Sequence, residues 1–267
     1  MKKNKAEAIK KYEALRYCEN TLASTEQLIS EEMPLTIYLN GKETTTMLCS
    51  PIDQKHLVTG FLVSEGMISS LDQITELEIE EEGGLAYVEA DITERKAPAG
   101  YLKRCLTTCC GRGRSGLYFA NDQATTAYND SKAVYKAEDI LRCTRQLLTE
   151  ASETHRVTNG VHSGAVVAAG DILVYSEDVG RHNIFDKLYG KCLEEKVPME
   201  DKLIVFSGRI SSEILIKVNK MRIPCVVAKS VPTTLALGLA EDFGITVVGR
   251  IRKDSFCVYT HPERILA

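Results

Sequence analysis

Between Arg104 and Arg114 the chain reads Arg104-Cys-Leu-Thr-Thr-Cys-Cys-Gly-Arg-Gly-Arg114, which puts three thiols, two glycines and three guanidinium groups into eleven residues. The run follows neither a helical period nor a strand alternation, so packing alone does not call for it. Thiolate is the nucleophilic form of cysteine, and neighbouring guanidinium groups favour it. Glycine gives the backbone freedom to carry such a group between partners. Cys110 is the best-placed nucleophile, since it precedes Gly111 and lies beside Arg112 and Arg114. Cys109 is its direct neighbour, and vicinal cysteines bridge only with strain. A thiol of this kind suits acyl transfer, sulfur transfer or redox work. The chain has no Cys-x-x-Cys pair, which speaks against thioredoxin-like exchange and against a deaminase-type zinc site. A cysteine-dependent hydrolase would need a histidine base whose place the sequence does not give.

The surrounding elements are readable from their patterns. Residues 1–31 are polar and charged and predict a short helix or a frayed arm. Leu35–Leu48 reads as a hairpin about the Asn40-Gly41 turn. A helix is expected from Ser50-Pro51 to about Glu65, stopped at Gly66. Its apolar positions Leu57, Phe61 and Leu62 share a face. Ile74–Glu80 and Leu85–Asp91 predict a strand pair. Residues 92–116 carry little secondary-structure signal and hold the cysteine segment. A helix over 138–149 precedes a denser alternation. Strands are expected at Val161–Ala168, Ile172–Tyr175, Leu203–Phe206, Cys225–Ala228 and Ile245–Val248, with helices over 181–195, Ser211–Met221 and Thr233–Phe243. An edge strand is expected near 250–260. This βαβαβ order predicts an α/β core with partly parallel strands. The expected organisation is an arm over 1–31, a smaller α+β portion over 32–135 and an α/β domain over 136–267.

Three strand-to-helix junctions hold the remaining polar groups: Ser176–Asn183, Ser207–Ser212 and Lys229–Thr234. In α/β sheets ligands collect beyond the carboxyl ends of the strands, where helix N-termini offer N–H groups to phosphates. With Arg181, His182, Arg209 and Lys229 there, a phosphate-bearing ligand is expected. The alternative is that Asp178, Arg181 and Glu213 serve as caps and structural ion pairs. His162 lies between small residues that permit close ligand approach. There is no Walker A motif, and Gly111-Arg-Gly113 is not a dinucleotide fingerprint.

Across 267 residues the formal net charge is −4 and charged residues make up 26%, which disfavours a general nucleic-acid binder. The nine cysteines have no framework spacing, and Met1-Lys-Lys-Asn-Lys5 is not followed by an apolar signal core. A reducing cytoplasm is the expected compartment, and Cys49, Cys143, Cys192 and Cys225 read as small buried hydrophobes. No apolar run reaches the roughly 20 residues of a bilayer span.

The sequence resembles the formate dehydrogenase accessory sulfurtransferases from about Glu32 to Pro262. The resemblance is carried by Pro34-Leu-Thr-Ile-Tyr-Leu-Asn-Gly41, Gly60-Phe-Leu-Val-Ser-Glu-Gly66, Thr158-Asn-Gly-Val-His162 and Glu177-Asp-Val-Gly-Arg-His-Asn183 with Asp186-Lys187. Ser207-Gly-Arg209 with Ser211 and Glu213, Pro232-Thr-Thr-Leu-Ala236 and Val258-Tyr-Thr-His-Pro-Glu-Arg264 extend it. It implies a cytidine-deaminase-like three-layer core with a mixed sheet and no deaminase zinc, plus a smaller N-terminal α+β portion. It further implies a cytoplasmic homodimer that takes persulfide sulfur from a cysteine desulfurase. The sulfur passes to the molybdenum or tungsten bis-pterin guanine dinucleotide of formate dehydrogenase or a related molybdoenzyme. Delivery of that cofactor without use of the thiol is the alternative. By the same resemblance Cys110 is the persulfide carrier, Gly113 stands where the family has a second cysteine, and Cys109 replaces a small hydroxyl residue. The family's cofactor-contact stretch falls on Arg250, Ile251, Arg252, Lys253, Asp254 and Ser255, with Arg250 in place of Phe, Ser255 in place of a second Arg and Cys257 in place of Asn. His162, Arg181, His182 and Arg209 complete the expected ligand set, and no resident metal is implied.

Overall fold

The structure, a computed structural model, describes residues 8–81, 83–92 and 126–267. The cysteine segment, with Cys105, Cys109, Cys110, Arg112, Gly113 and Arg114, lies outside the described residues.

Residues expected as a short helix or frayed arm form a hairpin instead, β1 (Ile9–Cys18) paired antiparallel with β2 (Thr21–Ser30). Its turn residues Glu19 and Asn20 both take left-handed backbone (φ 49° and 61°), the conformation that matches the twist of paired strands. Next come β3 (Met33–Leu39) and β4 (Lys42–Cys49), joined by Asn40-Gly41 at φ 49° and 71°. Helix α1 (Gln54–Ser64) follows and ends as predicted at Gly66, whose φ is 69°. Strands β5 (Ile74–Glu80) and β6 (Leu85–Ala90) complete a sheet of order β4-β3-β6-β5. β3 and β6 run parallel, so β3 is inserted between its own hairpin partner and a later strand. Leu57, Val58 and Leu62 of α1 are fully buried against Leu35, Ile37, Ala86 and Val88, while Phe61 is only partly buried.

The larger unit holds β7 (Tyr135–Lys136), α2 (Ala137–Gln146), α3 (Glu153–Thr158), β8 (His162–Ala168) and β9 (Asp171–Asp178). It continues with α4 (Arg181–Glu194), β10 (Leu203–Phe206), α5 (Ser212–Lys220), β11 (Cys225–Ala228), α6 (Thr234–Phe243), β12 (Thr246–Gly249), β13 (Cys257–Thr260) and β14 (Ile265–Leu266). Six strands form one mixed sheet of order β13-β12-β11-β10-β8-β9. β10, β11 and β12 are parallel, and β8, β9 and β13 are antiparallel to their neighbours. The predicted edge strand is β13. β9 runs three residues further than expected and takes in Ser176–Asp178.

Both faces of this sheet are apolar, which is why its strands read as continuous hydrophobic runs. Ile204, Phe206, Val226, Ala228 and Val247 face the side packed with α4, α5 and α6. Leu203, Val205, Cys225, Val227 and Val248 face the α2 side with Ile140, Cys143 and Leu147. The result is a three-layer α/β arrangement. Cys49, Cys143, Cys192 and Cys225 are buried, as expected of packing thiols. No described helix is long and apolar enough to cross a membrane.

The two units join through a close crossing of α1 and α4. A side chain at Gly60 would overlap the Asp186 carbonyl and lie 2.8 Å from Gly190 N, and one at Gly190 would meet the backbone at His56. Glycine at both positions lets the helix backbones touch. Gly60→Ala is expected to lower unfolding free energy by about 1–3 kcal/mol. Urea titration checks this, and an unchanged midpoint would contradict it.

Candidate functional site

The topology brings the sequence-predicted ligand residues to one edge of the large sheet. Strands β9, β10, β11 and β12 all end there, and antiparallel β8 begins there. In sheet order this edge carries the segment from Arg250 after β12, Lys229 after β11, Ser207 and Arg209 after β10, His162 at the start of β8, and Arg181 with His182 after β9. Backbone bonds knit adjacent loops. Lys229 N–H donates to Phe206 O at 3.1 Å, and Arg250 N–H to Ser230 O at 3.1 Å. Ser163 N–H donates to Ser207 Oγ at 2.9 Å, and Ser207 N–H returns to Ser163 O at 2.9 Å.

The Glu177–Asn183 motif divides into buried anchors and outward cations. Glu177 is buried and accepts from Ser152 Oγ (2.9 Å), Thr154 Oγ1 (2.5 Å) and Tyr175 Oη (2.6 Å). Asp178 pairs with Lys187 at 2.5 Å, with both side chains fully buried. It also accepts from Ser50 N–H (3.1 Å), Gly180 N–H (2.7 Å) and Asn183 Nδ2 (2.8 Å). These bonds fix the turn into α4 and leave Arg181 and His182 half-buried at its start. His182 Nε2 lies 3.0 Å from Glu213 Oε2 in the first turn of α5. The structural role considered for Asp178 and Glu213 therefore holds.

Three helices, α4, α5 and α6, start at this edge. Thr233 caps α6 by accepting from Ala236 N–H at 3.3 Å. Gly180 and Ser211, at the starts of α4 and α5, make no side-chain cap bond. Among the described residues Ser211 Oγ finds no hydrogen-bond partner, in a residue only 6% exposed. With no acidic residue in its first turn, whereas α5 carries Glu213, the start of α4 is the end best suited to an anion.

A cleft of about 220 Å³ opens at the same edge, lined by His155, Asn159, Gly160, His162, Ser207 and Lys229 with Leu148, Val161 and Val179. His155 Nδ1 sits 2.8 Å from Val161 O, which directs its other nitrogen away from the backbone. His162 packs on the Phe206 ring at 5.9 Å between centroids, and its Nδ1 is 3.5 Å from Ser207 Oγ. Burial holds the His162 pKa below its ordinary value, helped by the charges of Arg181, His155 and His182 and opposed by Asp178. At neutral pH it is an uncharged donor–acceptor among cations. Unfolding frees it to bind a proton more readily, so its contribution to stability is present above its ordinary value of 6.5 and falls as pH drops below that. His162→Gln is expected to flatten the stability–pH curve below 6.5. Denaturant titrations across that window check this, and a slope equal to the wild type would contradict it.

Of the expected ligand residues, His162 and Lys229 line the cleft. Arg209, Arg250, Arg252, Lys253, Asp254 and Ser255 are exposed along the same edge. Arg250 holds a left-handed backbone (φ 55°), a conformation rare for a bulky residue and frequent at ligand sites. Arg252 N–H donates to Ser255 O at 2.8 Å, which closes the loop. Ile251 is 7% exposed and belongs to the α2-side core, so only its backbone could meet a ligand. Sequence reasoning did not assign His155, Asn159 and Gly160 to the site. Their signal was adjacency to His162 in the Thr158–His162 stretch.

The model of the FdhD/NarQ family matches residues 30–266. The chain belongs to the FdhD/NarQ family. Its relatives in that family include proteins named sulfur carrier protein FdhD. One, from Geobacillus kaustophilus, is 43% identical over 97% of this chain and 98% of the relative. Another, from Staphylococcus haemolyticus, is 42% identical over 95% of each chain. A crystal structure from Desulfotalea psychrophila, assigned as a formate dehydrogenase accessory protein, superposes with a TM-score of 0.76 at 23% identity. It covers 97% of this chain and all of that one, so the FdhD/NarQ chain shares its mixed α/β fold.

Proposed function

We propose that this protein is a sulfur carrier that serves formate dehydrogenase or a related molybdoenzyme. It accepts sulfane sulfur from a cysteine desulfurase on Cys110 and passes it to the molybdenum or tungsten bis-pterin guanine dinucleotide, which binds as a substrate. The observation that carries the ligand half of this reading is the gathering of Arg181, His182, Arg209, Lys229 and the Arg250–Ser255 loop at one sheet edge with two uncapped helix starts. Such an edge suits a ligand with several phosphates. The name carried by its relatives supports the sulfur half. The three-layer core is read here as a cytidine-deaminase-like arrangement, and the working compartment as the cytoplasm.

The sulfur step balances without an external oxidant. Cys110 thiolate attacks the terminal sulfur of the desulfurase persulfide. A new S–S bond forms on Cys110, the donor's S–S bond breaks, and the donor cysteine leaves as thiolate. Arg112 and Arg114 would favour the resulting anion.

Titration calorimetry with GDP tests the ligand site. Binding is expected for the wild type, and Arg209→Ala or Arg250→Ala is expected to weaken it by about tenfold or more, since each removes a charge-assisted bond. Equal affinity in both variants would place the nucleotide elsewhere.

A further inference from the structure

We infer that the outer face of the four-stranded sheet β4-β3-β6-β5 is the docking surface for a basic face of the protein that donates sulfur. The inference rests on the reading of Cys110 as the sulfur acceptor. Helix α1 covers the inner side of this sheet, where Leu35, Ile37, Ala86 and Val88 are buried. The alternate strand positions point the other way, away from α1.

The register lays these outward positions in rows. Leu48 stands beside Pro34, Thr46 beside Thr36, and Tyr38 beside Tyr87. Leu48 is 55% exposed and Tyr87 41%, and the Tyr38 and Tyr87 rings stack at 5.3 Å between centroids. On the far side β5 sets Glu80 beside Leu85, Glu78 beside Tyr87 and Glu76 beside Glu89. An apolar, aromatic centre thus passes into a carboxylate rim, which is the anatomy of a protein interface. From strand spacing and rise the face spans about 20 Å each way, about 400 Å². That area suits a transient encounter better than a permanent pair, and a donor must leave after each transfer.

Charge complementarity selects the occupant. Between Lys55 and Arg95 the chain has ten carboxylates and no Lys or Arg, and Lys42 is the sole cation of the four strands. Among the described residues Glu76, Glu78, Glu80 and Glu89 form no ion pair. Like charges set directly opposite, as Glu76 and Glu89 are, weaken a sheet, and cations on a partner relieve that repulsion. The same charge repels nucleic acid, an anionic membrane and the matching face of a second copy. Among the described residues no group of carboxylates is arranged to hold a metal ion. A basic protein surface remains. The connection that leaves β6 carries Cys110, so a donor docked on this sheet sits at the root of the acceptor segment. The cationic edge of the large sheet, opposite in charge, stays open to the ligand.

Calorimetric titration of the full chain with the cysteine desulfurase of the same organism is expected to show binding that weakens steeply between about 50 and 500 mM salt. Glu76→Lys/Glu78→Lys/Glu89→Lys is expected to raise Kd about a hundredfold or more. Glu76→Gln/Glu78→Gln/Glu89→Gln removes the repulsion within the sheet, keeps the fold, and is expected to raise Kd about tenfold. Glu138→Lys/Glu200→Lys/Asp242→Lys, which reverses three exposed carboxylates elsewhere, is expected to bind as the wild type does. Cys110→Ala is also expected to bind as the wild type does, so docking is read apart from sulfur transfer. A wild type that does not bind, or sheet variants that bind as tightly as the wild type, would overturn the inference. So would a change in the sedimenting mass of the free sheet variants, which would place a second copy on this face.

Discussion

Cys110→Ala is expected to leave a folded protein that no longer activates its client, with formate dehydrogenase activity in cell extract reduced to about 1% or less. The size of the effect follows from the chemistry. In the proposed mechanism sulfur is carried through an S–S bond to one atom, and an alanine methyl can form none. Cys110→Ser is expected to fail equally, because a hydroxyl does not accept sulfane sulfur under these conditions. Cys109→Ala is expected to retain activity, since the family pattern has a small hydroxyl residue at that place. A carrier that only holds and delivers the cofactor would behave differently. Its Cys110→Ala form would still activate the client, while its ligand-edge variants would not. Extracts complemented with purified variants separate these outcomes.

The second large effect concerns stability rather than transfer. Asp178→Ala is expected to cost about 3–5 kcal/mol, since removing one partner leaves a buried charge uncompensated. Lys187 is fully buried, and its ammonium also donates to Glu177 O at 3.1 Å. Asp178 also satisfies the N–H groups of Ser50 and Gly180 and the amide of Asn183. Its loss therefore loosens the connection before α1, the end of β9 and the start of α4 together. Against a total stability of about 5–15 kcal/mol, the melting temperature is expected to fall by on the order of 10 °C. Lys187→Met should cost less than Asp178→Ala, because Asp178 retains three hydrogen bonds that stabilise its charge. Calorimetry of the two single variants and the double variant measures the coupling. A double-mutant cycle with no coupling would contradict the pairing.

Much of this architecture was legible in the sequence because local pattern and burial agree. The Asn40-Gly41 turn is a favoured two-residue hairpin turn, and the strands beside it alternate. Leu203–Phe206 and Cys225–Ala228 were bounded correctly because strands buried on both faces are short unbroken apolar runs. The helix starts after them were legible from Ser211 and Thr233, and their common edge followed from the parallel order. The arm was missed for a physical reason. Its turn, Glu19-Asn20, lacks the glycine that usually signals a tight hairpin, and its charges fall on both faces, so no alternation marks a buried side. Nor could local pattern reveal the β7–β14 pair, which joins Tyr135 to Ile265 across most of the domain. In the site, the cationic junctions were visible, but the division of labour within Glu177–Asn183 was not. That Glu177 and Asp178 face inward while Arg181 and His182 face the edge depends on β9 extending to Asp178, three residues beyond the run that its apolar pattern marks.

The most direct test of the central claim is intact-mass analysis of the protein after incubation with a cysteine desulfurase and cysteine. The sulfur-carrier reading predicts a reducible adduct of about 32 Da, one sulfur atom, mapped by peptide analysis to Cys110 and absent from Cys110→Ala. No adduct on the wild type under conditions where the desulfurase is itself persulfidated, or an adduct that persists in Cys110→Ala, would contradict it.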